Sequence, residues 1–206
     1  MNSINKNPRF KLQRRLMVEL PGLGKAGALE RKPYPPGEHG QKRIKYSESR
    51  LQLEEKQKVR IHYGLREEQL IRIVKKAKKS NSRWCDSLIN LLEKRLDNII
   101  FRGGFAQSIA AAGQLVSHGK ILVNGKKVNI RSYTVNLSDI VSLRPSALEN
   151  QAYLFAKQSP RLPLPDWLTK IETEFEASLK LIDEPTFHAI PFELDESLVT
   201  SYYSKV

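Results

Sequence analysis

The sequence predicts an α+β protein: a mostly helical domain, then a small α/antiparallel-β domain of two helices and a hairpin-containing sheet, with an extended basic N-terminal arm ahead of both. Three observations carry this. Residues 1–46 have sparse, aperiodic apolar residues broken by Pro8, Pro21, Pro33, Pro35 and Pro36. Residues 47–102 return apolar residues at helical spacing. Asn124-Gly125 then sits between two strand-like runs, where both turn residues must take positive φ.

In order, the arm repeats Lys and Arg throughout, at Lys6, Arg9, Lys11, Arg14, Arg15, Lys25, Arg31, Lys32, Lys42, Arg43 and Lys45. Such a segment is expected to bury too little apolar area to fold alone and to order on a polyanion. Ser47 or Ser49 opens the next helix, with Leu51, Leu53, Val59 and Tyr63 as apolar members and Gly64 as its stop, although this periodicity is weak. Leu70, Ile73, Val74 and Ala77 make a clean stripe, with Arg72, Lys75, Lys76, Lys78 and Lys79 on the other face. A third helix carries Trp84, Leu88, Leu91, Leu92, Arg95, Leu96 and Ile99.

The stretch from Lys94 to Arg144 organises the rest. Its first helix runs into Gly103-Gly104. Ser108 is the expected N-cap of the second, Ile109, Ala112, Leu115 and Val116 its core stripe, and Gly119 its left-handed stop. Ile121–Val123 and Lys126–Val128 flank the hairpin turn, and Ile140–Leu143 is the last strand. Arg102, His118, Lys120, Lys126 and Lys127 sit at the seams between elements, where they can face phosphates without breaking the apolar stripe. Beyond residue 145 periodicity is lost, SPRLPLPDW reads as a linker, and Trp167–Leu181 is a helix candidate with Glu172, Glu174 and Glu176 on it. The expected domains are therefore 1–46 (arm), 47–93 (helical domain, completed by C-terminal residues), 94–158 (α/β domain) and 159–206 (linker and a C-terminal helical segment packed on the helical domain).

Charge narrows the function. The chain carries +13 overall, with 31 Lys/Arg against 13 Asp/Glu over residues 1–160 and 4 against 9 over 161–206. A basic front with an acidic tail is the distribution of a polyanion binder, and nucleic acid fits better than a membrane, because no basic segment has the apolar face of an interfacial helix. One cysteine, Cys85, excludes an internal disulfide and a Cys-rich zinc site. No apolar run has the length of a membrane span, and the polar, basic start shows no signal-peptide core. His39, His62 and His118 are far apart and lack the spacing of metal ligands. No glycine-rich phosphate loop or nucleophile elbow is present.

The runs RLDNIIFR, QLVSHGKILVNGKKVNI, SY and DIV resemble the RNA-binding domain of the small-subunit ribosomal protein four family. That domain also occurs in some pseudouridine synthases, in a tRNA synthetase and in a heat-shock RNA-binding protein. The flanks favour the ribosomal family: PRFKLQRRL, LPGL, RKPYPPGEHGQKR and LEEKQK…HYGL follow its N-terminal region in order, and LDESLVTSYYSKV resembles its end. Many bacterial members hold zinc with four cysteines in the arm. This arm has none, resembling the cysteine-free form of cyanobacteria and plastids, so no metal or other cofactor is expected.

The resemblance implies a structural constituent of the small ribosomal subunit, in the chloroplast first and a bacterial cytoplasm second. It implies primary binding to a helix junction in the 5′ domain of small-subunit rRNA. The implied partners are that rRNA, small-subunit protein five, and mRNA near the channel by which it enters, with a bearing on translational accuracy and no membrane. The rRNA-binding residues it implies are Arg9, Lys11, Arg14, Arg15, Lys42, Arg43, Lys45, Lys56, Arg60, Tyr63, Arg72, Lys75, Lys76, Arg102, Gln114, His118, Lys120, Asn124, Lys126 and Lys127. The chain departs from the family pattern at Gly103, where Leu is common, and at Gly113, where Arg is common and a phosphate contact is lost. It departs again at Arg131, where Pro or Ala is common, and at Ser138, where Gly is usual. A free-standing RNA module, for tRNA or stress, is the alternative. A pseudouridine synthase is remote: Arg95-Leu96-Asp97 matches its catalytic triplet, but the chain is too short for a catalytic domain, and Asp97 is expected to be a structural carboxylate.

Overall fold

The computed structural model describes residues 8–24, 27–42, 45–80, 82–173 and 176–204. The chain divides into two units, Met1–Lys75 with Ile190–Val206, and Lys76–Ala189. The dividing point differs from the expected boundary at residue 93.

The first unit contains α1 (Arg9–Leu16), the short α2 (Ala28–Arg31), α3 (Glu48–His62), the start of α4 (Glu67–Ala77) and α10 (Glu196–Ser204). The expectation of an extended arm is corrected here. Leu12, Leu16 and Leu20 are buried with Ile61 in one apolar cluster, against which Val18, Leu23 and Phe192 pack. The pattern was illegible locally because the partners come from α3 and from the C-terminal segment. Met17, at φ 52°, ends α1, and Gln13 Nε2 donates to Leu20 O at 3.2 Å.

Ser47 caps α3 by accepting from the Arg50 N–H, and Gly64 follows it at φ +61°. The weak apolar period of α3 has a physical cause: its buried face includes Gln52, Glu55, Lys56 and His62. The first three are satisfied by neighbours. Gln52 donates to Glu48, Lys56 Nζ donates to Glu67 at 2.8 Å, and Glu55 accepts from the Asp195 N–H at 3.1 Å. α10 lies along α3 and buries Val199 and Tyr203.

The second unit is built from α5 (Trp84–Glu93), α6 (Leu96–Arg102), α7 (Ile109–Ser117), α8 (Pro145–Leu148), α9 (Gln151–Gln158) and a sheet. The sheet is antiparallel, in the order β2 (Lys126–Lys127), β1 (Ile121–Val123), β3 (Ile140–Leu143), β5 (Ala177–Leu181), β4 (Leu168–Glu172). α5 belongs with this unit because it packs on α6 and on the 3-10 turn Phe187–Ala189, whose first N–H donates to Asp86 at 3.0 Å. The single stripe expected through Ile99 is broken between α5 and α6, where Arg95 is extended and bridges Thr134.

The helix expected over Trp167–Leu181 is corrected to the β4–β5 hairpin. Leu179 and Leu181 point inward and Lys180 outward, the period of a strand, and Val141↔Leu179 sets the register against β3. Glu172 is the last residue of β4 and Glu176 directly precedes β5, while Glu174 lies outside the described residues. The 94–158 segment thus carries only three of the five strands, and residues 159–206 supply the other two as well as α10.

Candidate nucleic-acid interface

The strongest arrangement of basic side chains in the second unit surrounds the C-terminus of α7. Ser108 starts this helix by accepting from the Ala111 N–H at 3.1 Å. Gly119 ends it at φ +66°, and the Gly119 and Lys120 N–H groups donate back to Val116 O and Leu115 O. Lys127 crosses over Gly119: a Cβ there would lie 2.9 Å from Nζ and closer still to Cε. Arg144 flanks the same glycine, its Nη1 3.5 Å from Gly119 O and its N–H bonded to Lys120 O at 2.9 Å. His118, Lys127 and Arg144 are exposed and Lys120 partly so. Lys127 and Arg144 thus meet at Gly119, with His118 and Lys120 on either side of it in the chain and Lys120 Nζ donating to Ser146 Oγ at 3.3 Å, where the helix carbonyl end favours cations. What such a cluster can do is hold phosphate oxygens through charge-assisted hydrogen bonds.

The neighbouring hairpin presents Lys126, exposed. Asn124, expected to touch RNA, uses its amide within the fold: Nδ2 donates to Asp139 at 2.7 Å and Oδ1 accepts from the Ile140 N–H at 2.9 Å. It shapes the loop that carries Lys126. Gln114 is exposed on α7, and Gly113, one residue before it, is covered by the Arg131 guanidinium.

Arg102 is corrected. It is buried, donates to Ala189 O at 2.8 Å and lies 3.5 Å from Glu93, so it holds the fold. Lys157 and Lys170 are engaged with Glu172. Asp97 is wholly buried and receives both Arg95 Nε and Nη2, which makes it a structural carboxylate.

In the first unit, Arg9, Lys11 and Arg15 are exposed on or beside α1, and Lys42 and Lys45 are exposed in the segment before α3. Arg43 lies outside the described residues. Arg14 turns inward, donating to Tyr34 O at 3.0 Å and Pro35 O at 3.3 Å and stacking on the Tyr34 ring, so it fastens the proline-rich segment. Arg72 and Lys75 are exposed on α4, as is Lys76 just past the dividing point. Arg60 is partly exposed, bonded to Gln57 and 3.8 Å from Glu67.

Lys56 and Tyr63 are corrected: both are buried, Lys56 in its ion pair with Glu67 and against the Tyr202 ring, and Tyr63 in the core at 1% exposure. A phosphate contact from either would require opening the unit. His62 is likewise a packing residue, its ring 4.8 Å from those of Tyr63 and Phe192. Among the described residues no three His, Cys, Asp or Glu side chains gather as a metal site, and no helix is long and apolar enough to cross a membrane.

Sequence reasoning missed Arg144 and Arg131. The signal for Arg144 was register. Ile121 pairs with Leu143, so the next residue outward on each strand, Lys120 and Arg144, must be neighbours at the end of α7.

The family profile described as Ribosomal protein S4/S9 N-terminal domain matches residues 5–93, and the one described as S4 domain matches residues 94–141. The chain is 60% identical over 205 residues to small ribosomal subunit protein uS4B of Bdellovibrio bacteriovorus, covering 99% of each chain. It is 42% identical over 199 residues to uS4 of Methylobacillus flagellatus, covering 96% of each. Against uS4 of Nocardia farcinica it is 41% identical over 199 residues, covering 96% of this chain and 97% of the other.

Proposed function

Because the chain belongs to the uS4 family of small ribosomal subunit proteins, we propose that it is a primary assembly protein that grips the 5′-domain helix junction of small-subunit rRNA. The family is structural and not enzymatic. The observation that carries the reading is the meeting of Lys127 and Arg144 at Gly119, at the end of α7, where His118 and Lys120 flank the glycine. Lys126, Arg72, Lys75, Lys76, Arg9, Lys11, Arg15, Lys42 and Lys45 supply further exposed charge.

These groups act mainly on phosphates, which position the protein without reading sequence. A-form RNA hides its base edges in a deep, narrow major groove, so selectivity comes from junction shape and 2′-hydroxyls. In the assembled subunit the protein lies beside small-subunit protein five and near the channel through which mRNA enters, where it bears on translational accuracy. The relatives compared are bacterial, which supports a bacterial ribosome in the cytoplasm over the plastid setting that the cysteine-free arm suggested.

The N-terminal family match over residues 5–93 favours this reading over a free-standing RNA module, whose S4 domain would stand without it. The test is filter binding of the full-length protein to a 5′-domain transcript across a salt series, with tRNA as competitor. Tight binding with a steep salt slope and weak competition by tRNA is expected. Equal affinity for tRNA would replace the reading with the general RNA module. Replacing Lys120, Lys127 and Arg144 together with Ala should make the slope shallower by about 2 to 3, roughly one per lost phosphate.

A further inference from the structure

We infer that Arg131 is a phosphate-binding residue of the rRNA surface, and that Gly113 exists to let its guanidinium lie across α7. The inference rests on the reading of the chain as an rRNA-binding protein.

Gly113 is in the middle of α7, where glycine is a poor helix former. A Cβ at that position would fall on Arg131, 2.7 Å from Nη2 and closer still to Cζ and Nε. The missing side chain is therefore the seat of the guanidinium. The backbone that carries Arg131 is fixed to the start of α6. The Asp97 N–H donates to Arg131 O at 3.2 Å, the Leu96 N–H donates to Tyr133 O at 2.8 Å, and Arg95 bridges Thr134.

Charge completes the argument. Asp97, fully buried, already receives Arg95 Nε on Oδ1 at 3.1 Å and Arg95 Nη2 on Oδ2 at 2.8 Å. Arg131 Nη2 is farther from that carboxylate, at 3.6 Å, and its side chain keeps 37% of its surface exposed. Two guanidinium groups face one carboxylate, so the cluster carries a net positive charge whose exposed part is Arg131. A residue needed only to neutralise Asp97 would be redundant beside Arg95. On α7, Gln114 follows Gly113 and Ser117 lies one turn beyond it, both exposed, and Ser117 Oγ donates to Gly113 O at 2.8 Å. A guanidinium with an amide and a hydroxyl beside it suits a phosphodiester and its ribose 2′-hydroxyl.

The experiment uses the full-length protein, a 5′-domain transcript of bacterial small-subunit rRNA, a salt series, and thermal melts of every variant. R131A is expected to bind about tenfold more weakly, with a salt slope shallower by about 1. R131K, which keeps a cation, should keep the slope. G113A adds a helix-favouring methyl and pushes the guanidinium from its seat, so it should lose affinity as R131A does while its melt holds or rises. Wild-type slope and affinity in both R131A and G113A would overturn the inference while leaving the rRNA reading intact. So would an R131A variant whose melt falls but whose slope is unchanged, since that is a neutraliser of Asp97. Failure of the wild-type protein to prefer this RNA over tRNA would instead defeat the rRNA reading itself, and this inference with it.

Discussion

The end of α6 and the middle of α7 use one device for opposite ends. At Gly103 a Cβ would lie 2.6 Å from Leu179 Cδ2, 2.9 Å from Cγ and closer still to Cδ1, so the missing side chain admits a buried leucine from β5. At Gly113 the missing side chain admits a half-exposed arginine from the loop before β3. The first glycine serves the core and the second the surface. In both the volume is returned by a residue far away in sequence. An unusual glycine is thus half of a pair, and its meaning depends on where its partner comes from.

The comparison breaks most severely at Gly103. Gly103→Leu should destabilise the second unit by about 3 kcal/mol, because Leu179 is buried on all sides and an overpacked core cannot relax cheaply. Adding Leu179→Ala should recover a large part of that loss in a chemical-denaturation double-mutant cycle. Simple additivity would show that the two sites do not share one volume.

Ser138 sharpens the comparison from the other side, as a non-glycine where the backbone wants glycine, at φ 66°. Its backbone holds the left-handed region against the steric cost of a Cβ, so Ser138→Gly should stabilise by about 1 kcal/mol, read as a higher denaturant midpoint. A lower midpoint would mean that the hydroxyl is needed in the turn.

The smallest expected effect concerns how β4 and β5, which deliver Leu179, are tied to α9. Burial pushes the Glu172 carboxyl up, but the hydrogen bonds from Tyr153 and Lys170 and the charges of Lys170 and Lys157 outweigh it and hold it below its ordinary 4.5. A depressed carboxylate contributes stability above pH 4.5 that is lost as pH falls through the lower folded value. Glu172→Gln should therefore flatten the acid limb of a melting-temperature profile below that pH. An unchanged limb would assign the acid sensitivity to other carboxylates, of which Asp195 is one, held low by Ser197 and the Leu198 N–H.

What was legible in the chain was local. Ser47 and Ser108 cap their helices through hydrogen bonds only three residues long. Asn124 and Gly125 both take positive φ, as their hairpin requires. The stripe of α7 needs only its own period. What was illegible had distant partners. Leu12 and Leu16 looked like stray apolar residues in a basic arm until Ile61 and Phe192 met them. Residues 167–181 looked helical although Glu172, Glu174 and Glu176 alternate at the period of a strand, and β3, the strand that decides the matter, lies before two intervening helices. Among the candidate contacts, Lys56 and Arg102 carry the same charges as Lys127 and Arg144. Composition could not say that the first two are enclosed beside Glu67 and Glu93.

The residue order alone dictates the polyanion-binding charge, the turn and cap positions, and the family, since each depends on residue type or on neighbours within a few positions. The five-stranded sheet, the folding of the basic N-terminal segment onto α3, and the sorting of basic residues into structural and exposed sets were set by packing. Burial is a property of the surroundings. A lysine has the same sequence signature whether its ammonium meets a glutamate or water, and only the assembled fold brings one or the other within 3 Å.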